Sequence, residues 1–315
     1  MLSSVNKKNV AELFSSIKAN EEFEVMFNNY RPDNVLSLID FMNVMKYVRY
    51  RAEVDKMELK ESISLDVSYG EYRFTINTLV NINNVLGLLY QRKNNNLFSI
   101  LVSQYLDKDG FSLIQKIKDK SNILDIDSMN IRFRKSKELP IDDKETIAKL
   151  SKIPPEDASK IMYRYKQRLS LEIKKDIHVD LTIIRTSDNP SNIMNAPKSY
   201  EIEIDYSPKN SDSKMLDIIL LEMETIKKVM IGSNIIMDIK EERDILENYK
   251  QLVYGNMGEQ ATILYTMQPI SAEVQHIVDK IPNKYSVTDK ADGDQYMLFV
   301  LNNALYLISN NLLVF

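Results

Sequence analysis

Apolar positions along the chain switch repeatedly between a three-to-four-residue spacing and strict alternation, so helices and strands follow one another through most of its length. Val10, Leu13, Phe14 and Ile17 keep helical spacing and precede a strand from Glu22 to Phe27. Pro32 and Asp33 open a second helix through Val35, Leu36, Ile39 and Met42, with Asp33 as N-cap. A hairpin follows: Ile63, Leu65 and Val67 alternate with polar residues, Tyr69-Gly70 turns, and Tyr72, Phe74 and Ile76 alternate on the return. Further strands are predicted at 97–105, 130–135, 160–171, 177–184 and 199–206, then helices from about Ser213 to Val229 and from about Lys240 to Val253. The two glycines in Tyr254 to Gly258 mark a boundary between a main domain, 1–253, and a short second region, 254–315.

The strands share a division of labour. Phe23 and Val25 oppose Glu22 and Glu24, while Ile131 and Phe133 oppose Arg132 and Arg134. Tyr163 and Tyr165 oppose Arg164, Lys166 and Arg168; Val179 and Leu181 oppose His178 and Asp180; Ile202 and Ile204 oppose Glu201, Glu203 and Asp205. Residues two apart on a strand stand side by side on one face. An antiparallel sheet with one face in water would show the same alternation, but it gives no reason for three bases in a row on one strand and three acids in a row on another. Closing the sheet with its charged face inward, under a cover of helices, satisfies both faces, and a barrel of about eight strands can hold one small ligand. Crowded acids repel unless a cation or basic groups neutralise them, so facing acidic and basic strands point to a metal and polyphosphate site. The fold class is therefore α+β, a closed antiparallel barrel with flanking helices.

Composition narrows the chemistry. At 315 residues the chain can bury one large core and begin a second domain. A net charge of −4 excludes a generally basic nucleic-acid coat but not a local grip on phosphate. The absence of cysteine excludes disulfides, thiolate nucleophiles and zinc-thiolate sites, and with only His178 and His276 a histidine cage or serine triad is disfavoured. Chemistry must rest on carboxylates, Lys and Arg. The opening residues lack a signal-peptide core and no apolar run reaches membrane-spanning length, so a soluble, cytoplasmic protein with no membrane partner is expected.

Four stretches carry a family resemblance: Glu22-Phe23-Glu24-Val25; Ile161 to Arg168 with its R-x-K-x-R; Tyr200-Glu201-Ile202-Glu203-Ile204-Asp205; and Ile281 to Gly293. With these motifs in this order, the chain resembles the triphosphate tunnel metalloenzymes, and among them the RNA triphosphatase domain of mimivirus-type mRNA capping enzymes. The resemblance implies metal-dependent hydrolysis of the γ-phosphate of 5′-triphosphate RNA, the first step of capping. It also implies residue roles. Glu22, Glu24 and Asp205 would ligate Mg²⁺ or Mn²⁺, hard cations suited to oxygen ligands; relatives often carry a glutamate where Asp205 stands. Arg164, Lys166 and Arg168 would hold the triphosphate. Glu201 and Glu203 would orient the attacking water, Asp180 would support the network, and Arg73 and Arg134 are candidates for further phosphate contacts.

Lys290-Ala291-Asp292-Gly293 resembles the K-x-D-G motif of covalent nucleotidyltransferases, making Lys290 a candidate nucleotidyl-lysine and 254–315 the start of a guanylyltransferase domain. That family usually has Arg where this chain has Gln295, and the chain stops at Phe315, so guanylyltransfer by this chain alone is not expected. A viral origin would put the protein in a viral factory or virion. Expected partners are 5′-triphosphate RNA, nucleoside triphosphates and other capping-complex proteins. The alternatives are another tunnel-fold enzyme, a tripolyphosphatase, nucleotide triphosphatase or adenylyl cyclase, or a non-catalytic subunit of a capping complex.

Overall fold

The computed structural model describes residues 2–18, 21–28, 35–91, 97–117, 119–154, 160–208, 212–234, 236–255, 264–265, 271, 273–279, 293 and 295–315. Two compact units emerge, Met1–Ile236 and Met237–Phe315. In the first, α1 (Ser4–Ser15), β1 (Glu21–Phe27) and α2 (Leu38–Val54) lead into the hairpin β2 (Leu59–Tyr69) and β3 (Tyr72–Asn77). There follow α3 (Leu79–Gln91), α4 (Leu97–Tyr105), β4 (Phe111–Ile117), β5 (Ile123–Ile126), β6 (Ile131–Pro140) and α5 (Lys144–Leu150). The long strands β7 (Ile161–Lys174), β8 (Ile177–Ser187) and β9 (Lys198–Tyr206) and helix α6 (Lys214–Ile231) complete the unit.

The sheet runs β1-β9-β8-β7-β2-β3-β4-β6, and a further pairing of β6 with β1 closes it into an eight-stranded barrel; β5 hydrogen-bonds to β6 outside the ring. Every one of these pairings is antiparallel. The alternation read from sequence now has its cause. Phe23, Val25, Ile131, Phe133, Leu171, Val179, Ile202 and Ile204 point outward and are buried in one core with Val10 and Phe14 of α1, Phe41, Val44 and Val48 of α2, and Ile219, Met223 and Ile226 of α6. Leu65, Val67, Phe74, Ile76, Tyr163 and Tyr165 point outward into a second core with residues of α3, α4 and α5. Burying apolar area under helices stabilises the barrel from outside, which leaves the lumen free to be polar.

Residues 97–105, expected as a strand, form helix α4. Leu97, Phe98, Leu101 and Val102 are buried at helical spacing, and the Ser99 hydroxyl, donating to the Leu150 carbonyl at 3.0 Å and accepting from the Ile153 N–H at 3.2 Å, ties the helix to the end of α5. A short, continuous apolar run fits either element by periodicity, and tertiary packing decides. The second helix begins at Leu38, where the Ser37 hydroxyl accepts from the Asp40 N–H at 3.1 Å as N-cap; Asp33 lies outside the described residues.

The second unit contains α7 (Ile239–Tyr254), α8 (Val274–Asp279) and the hairpin β10 (Tyr296–Leu301) with β11 (Ala304–Ser309). Ile245 and Tyr249 of α7 share a core with Phe299, Ile308, Leu312 and Val314. Helix α7 thus packs with the carboxy-terminal residues, and the compact units part at 236/237 rather than at the expected 253/254.

Candidate active site

The inward residues of the barrel line a cavity of about 290 Å³. Strand register explains which groups meet. Glu24 is the cross-strand partner of both Arg134 on β6 and Asp205 on β9, Asp205 in turn faces His178 on β8, and Glu203 faces Asp180. On the other side Asp66 of β2 is the partner of Arg164 on β7 and of Thr75 on β3. Glu22, Glu24, Asp205, Arg164, Lys166, Arg168, Glu201, Glu203, Arg73 and Arg134 all line this cavity; Asp180, opposite Glu203 in register, is not among the lining residues and is bound to Arg168.

The basic side chains are held by carboxylates. Arg134 is ion-paired with Glu24, and Arg164 donates to Glu201 at 2.8 Å. Arg168 reaches Asp180 at 2.7 Å, Glu203 at 3.8 Å and the Thr182 hydroxyl at 3.1 Å. Lys166 is paired with Asp66, which also accepts from the Thr75 hydroxyl at 2.9 Å. Arg73 donates to both oxygens of Glu138 at 2.8 Å. The lattice closes through Lys116, 3.0 Å from Glu138 and 3.4 Å from Glu24.

Lys116, Asp66 and Glu138 were not singled out by sequence. The strand carrying Lys116 shows no alternation strong enough to announce it, and Glu138 lies beyond the expected end of its strand. Asp66 did have a signal, since it shares the polar face of β2 with Ser62 and Ser64. Lys290 lies outside the described residues.

Burial raises the Glu24 carboxyl, but Lys116 and Arg134 outweigh it and hold the group below the ordinary carboxylate range. Asp66 behaves alike, lowered by Lys166 and Arg73 against its burial. Glu203 goes the other way: burial, then Glu201 and Glu24, push it up to about 7. Asp205 is raised well above its ordinary value by burial, Glu203, Asp180 and Glu24. Glu22 is raised by burial and by Glu138. Burial draws Lys166 down despite its pairing with Asp66.

The donor set matches a hard divalent cation, which takes carboxylate oxygens. One observation supports the match: Asp205 Oδ1 is buried without a hydrogen-bond partner, a state that needs an explanation and that a cation would supply. Among the described residues no three acids or histidines already stand at ligand spacing, and Glu24 is turned toward Arg134 and Lys116. Side-chain rotation within the lumen would have to complete the site.

No protein-family model matches the chain. A "Probable mRNA-capping enzyme" of Acanthamoeba polyphaga mimivirus is 31% identical over 301 residues, covering 94% of this chain and 24% of the relative. The crystal structure of the RNA triphosphatase domain of a trifunctional mimivirus mRNA capping enzyme superposes with a TM-score of 0.57 at 21% identity, over 73% of this chain and 97% of that domain. A monoclinic structure of the mimivirus capping enzyme triphosphatase gives 0.54 at 24% identity, over 72% and 99%. The chain spans about a quarter of the length of the capping enzyme to which it is similar along nearly all of its own residues, and its barrel has the fold of the mimivirus capping-enzyme triphosphatase domain.

Proposed function

We propose that this chain removes the γ-phosphate from 5′-triphosphate RNA in a metal-dependent hydrolysis, the opening step of cap formation. The observation that carries the reading is the lumen of the closed barrel, in which Arg164, Lys166 and Arg168 face the acidic strands of Glu22, Glu24, Glu201, Glu203 and Asp205. A triphosphate is the anion that several bases converging on so small a space can hold at once.

Charge decides what must accompany it. Six basic and seven acidic side chains line the cavity, so a lumen with all its acids ionised would repel a polyanion. A divalent cation, Mg²⁺ or Mn²⁺, held by Glu22, Glu24 and Asp205 would reverse that balance and draw charge from the phosphoryl oxygens. Arg164, Arg168 and Arg134 would exchange their carboxylate partners for phosphate oxygens, with little reorganisation since the fork geometry is already set. Glu201 and Glu203, which line the cavity, would orient the attacking water, and Glu203, with its affinity for a proton near neutrality, would suit the transfer from that water. Asp180 and Thr182 fix the Arg168 guanidinium. No helix among the described residues is long and apolar enough to cross a membrane.

Incubation with γ-labelled triphosphate RNA and Mg²⁺ or Mn²⁺ tests the reading. Orthophosphate is the expected product, with none formed in EDTA; release of pyrophosphate, or undiminished turnover in EDTA, would refute it.

A further inference from the structure

The outer wall of β7 changes cover midway along its length. Tyr163 and Tyr165 pack into the core beneath α3, α4 and α5, and Leu169 and Leu171 into the core beneath α1, α2 and α6. Gln167 falls between the two covers and is exposed, at the floor of a groove of about 710 Å³. Phe41, Met45 and Arg49 of α2 form one wall, Thr78 and Leu79 the other, and Ile63 and Ile183 flank Gln167 on the floor.

The groove is joined to the lumen. β2 pairs with β7 as far as Leu59↔Leu171, but its pairing with β3 begins only at Ser64↔Asn77. Among the described residues, the segment from Leu59 to Ser62 therefore carries a strand partner on one side only. A hydrogen bond from the Thr78 N–H to the Ile63 carbonyl, 3.2 Å, marks the end of this opening in the wall. Ser62, Asn77 and Arg168 line both spaces, and Ser62 and Asn77 are exposed.

We propose that the groove is the subsite for the 5′-terminal nucleoside, whose triphosphate reaches the lumen through the opening at Ser62 and Asn77. The inference rests on the lumen's being the triphosphate site. A cavity lined by charged side chains cannot by itself distinguish RNA from inorganic tripolyphosphate, and the neighbouring space has what the lumen lacks. Its apolar walls suit the face of a base, the Gln167 amide and the Glu61 carboxylate offer both donors and an acceptor to base edges, and Arg49 stands at the rim for the next phosphate. Arg49 is paired only loosely, 3.7 Å from Glu61, with both side chains largely exposed, so it is free to exchange that partner for a phosphate. The volume also exceeds that of one nucleoside, which admits a base and the sugar-phosphate leading from it.

Two variants test the assignment, Met45→Trp to fill the groove and Arg49→Glu to change its exposed rim, each checked for an unchanged melting curve. KM and kcat are measured with triphosphate RNA, ATP and inorganic tripolyphosphate in Mg²⁺, and binding of β,γ-imido ATP is measured by calorimetry. Met45→Trp should weaken ATP and RNA about tenfold, the scale of one lost base contact, and leave tripolyphosphate unchanged. Arg49→Glu should weaken RNA more than ATP. Equal losses for tripolyphosphate and the nucleotides, or nucleotide binding untouched in both variants, would overturn the proposal and leave the groove as a docking surface for an apolar peptide. A parent chain that binds tripolyphosphate and β,γ-imido ATP but hydrolyses nothing would overturn the proposed activity instead, with the groove still judged by its effect on binding.

Discussion

Two walls of the same lumen bury acids to opposite effect. On the β2–β3–β7 wall, Asp66 is 2% exposed, yet Lys166, Arg73 and Thr75 surround it and its pKa falls. On the β1–β9 wall, burial and the neighbouring acids raise the pKa values of Glu203 and Asp205 against the pull of Arg168. Burial alone raises both sets, so the sign is set by the charges that surround each group. Glu24 on the second wall is itself held down by Lys116 and Arg134, so only Glu203 and Asp205 are left with raised pKa values there.

The largest contrast should come from removing acids on the β1–β9 wall. Glu24→Ala and Asp205→Ala are expected to lower kcat by roughly 10²- to 10³-fold, the scale of one lost preorganised electrostatic group. Asp205→Ala should nevertheless keep or raise the melting temperature of the metal-free protein, because it removes a member of a repelling cluster. A parallel collapse of melting temperature and activity would erase the distinction between the walls. On the β2–β3–β7 wall Asp66→Ala should do what Asp205→Ala does not. It strands the buried Lys166, and breaking such a pair costs about 3–5 kcal/mol, read as a lower midpoint in urea unfolding.

A smaller effect sharpens the role of the basic strand. Arg168 makes a fork of contacts to Asp180, Glu203 and Thr182, so Arg168→Lys should recover only part of the activity lost in Arg168→Ala. Equal rates for the lysine variant and the parent would show that only charge matters there. The smallest effect concerns pH. Glu203 binds its proton more tightly folded than unfolded, so its contribution to stability is present below about pH 4.5 and is lost as pH rises through about 7. In EDTA the melting temperature should therefore decline across that window, and the decline should flatten in Glu203→Gln. An unchanged slope in that variant would assign the effect to other groups.

Much of this was legible in the sequence because a barrel wall writes two messages on alternate residues. On β1, β7 and β9 the outward message is aliphatic or aromatic and the inward one is ionised, so strand, face and chemistry could be read together. Where one message weakened, the reading failed. α4 carries a continuous apolar run without a polar face to set its period, and β4 mixes polar and apolar residues on both sides, which hid Lys116. The opening beside Ser62 was invisible for another reason. It depends on where β3 stops relative to β2, and register is a relation between segments rather than a property of either one.

The strand that carries Glu22 and Glu24 is also the seam of the ring, pairing with residues 131–137 on one edge and 203–206 on the other. Both pairings span more than a hundred residues, the kind of contact whose loop-closure entropy slows folding. During synthesis β1 emerges first and must wait for β9 before its second edge is filled, so Glu24 and Asp205 meet only as the ring closes. A barrel interrupted before β9 is left with an open edge available for aggregation.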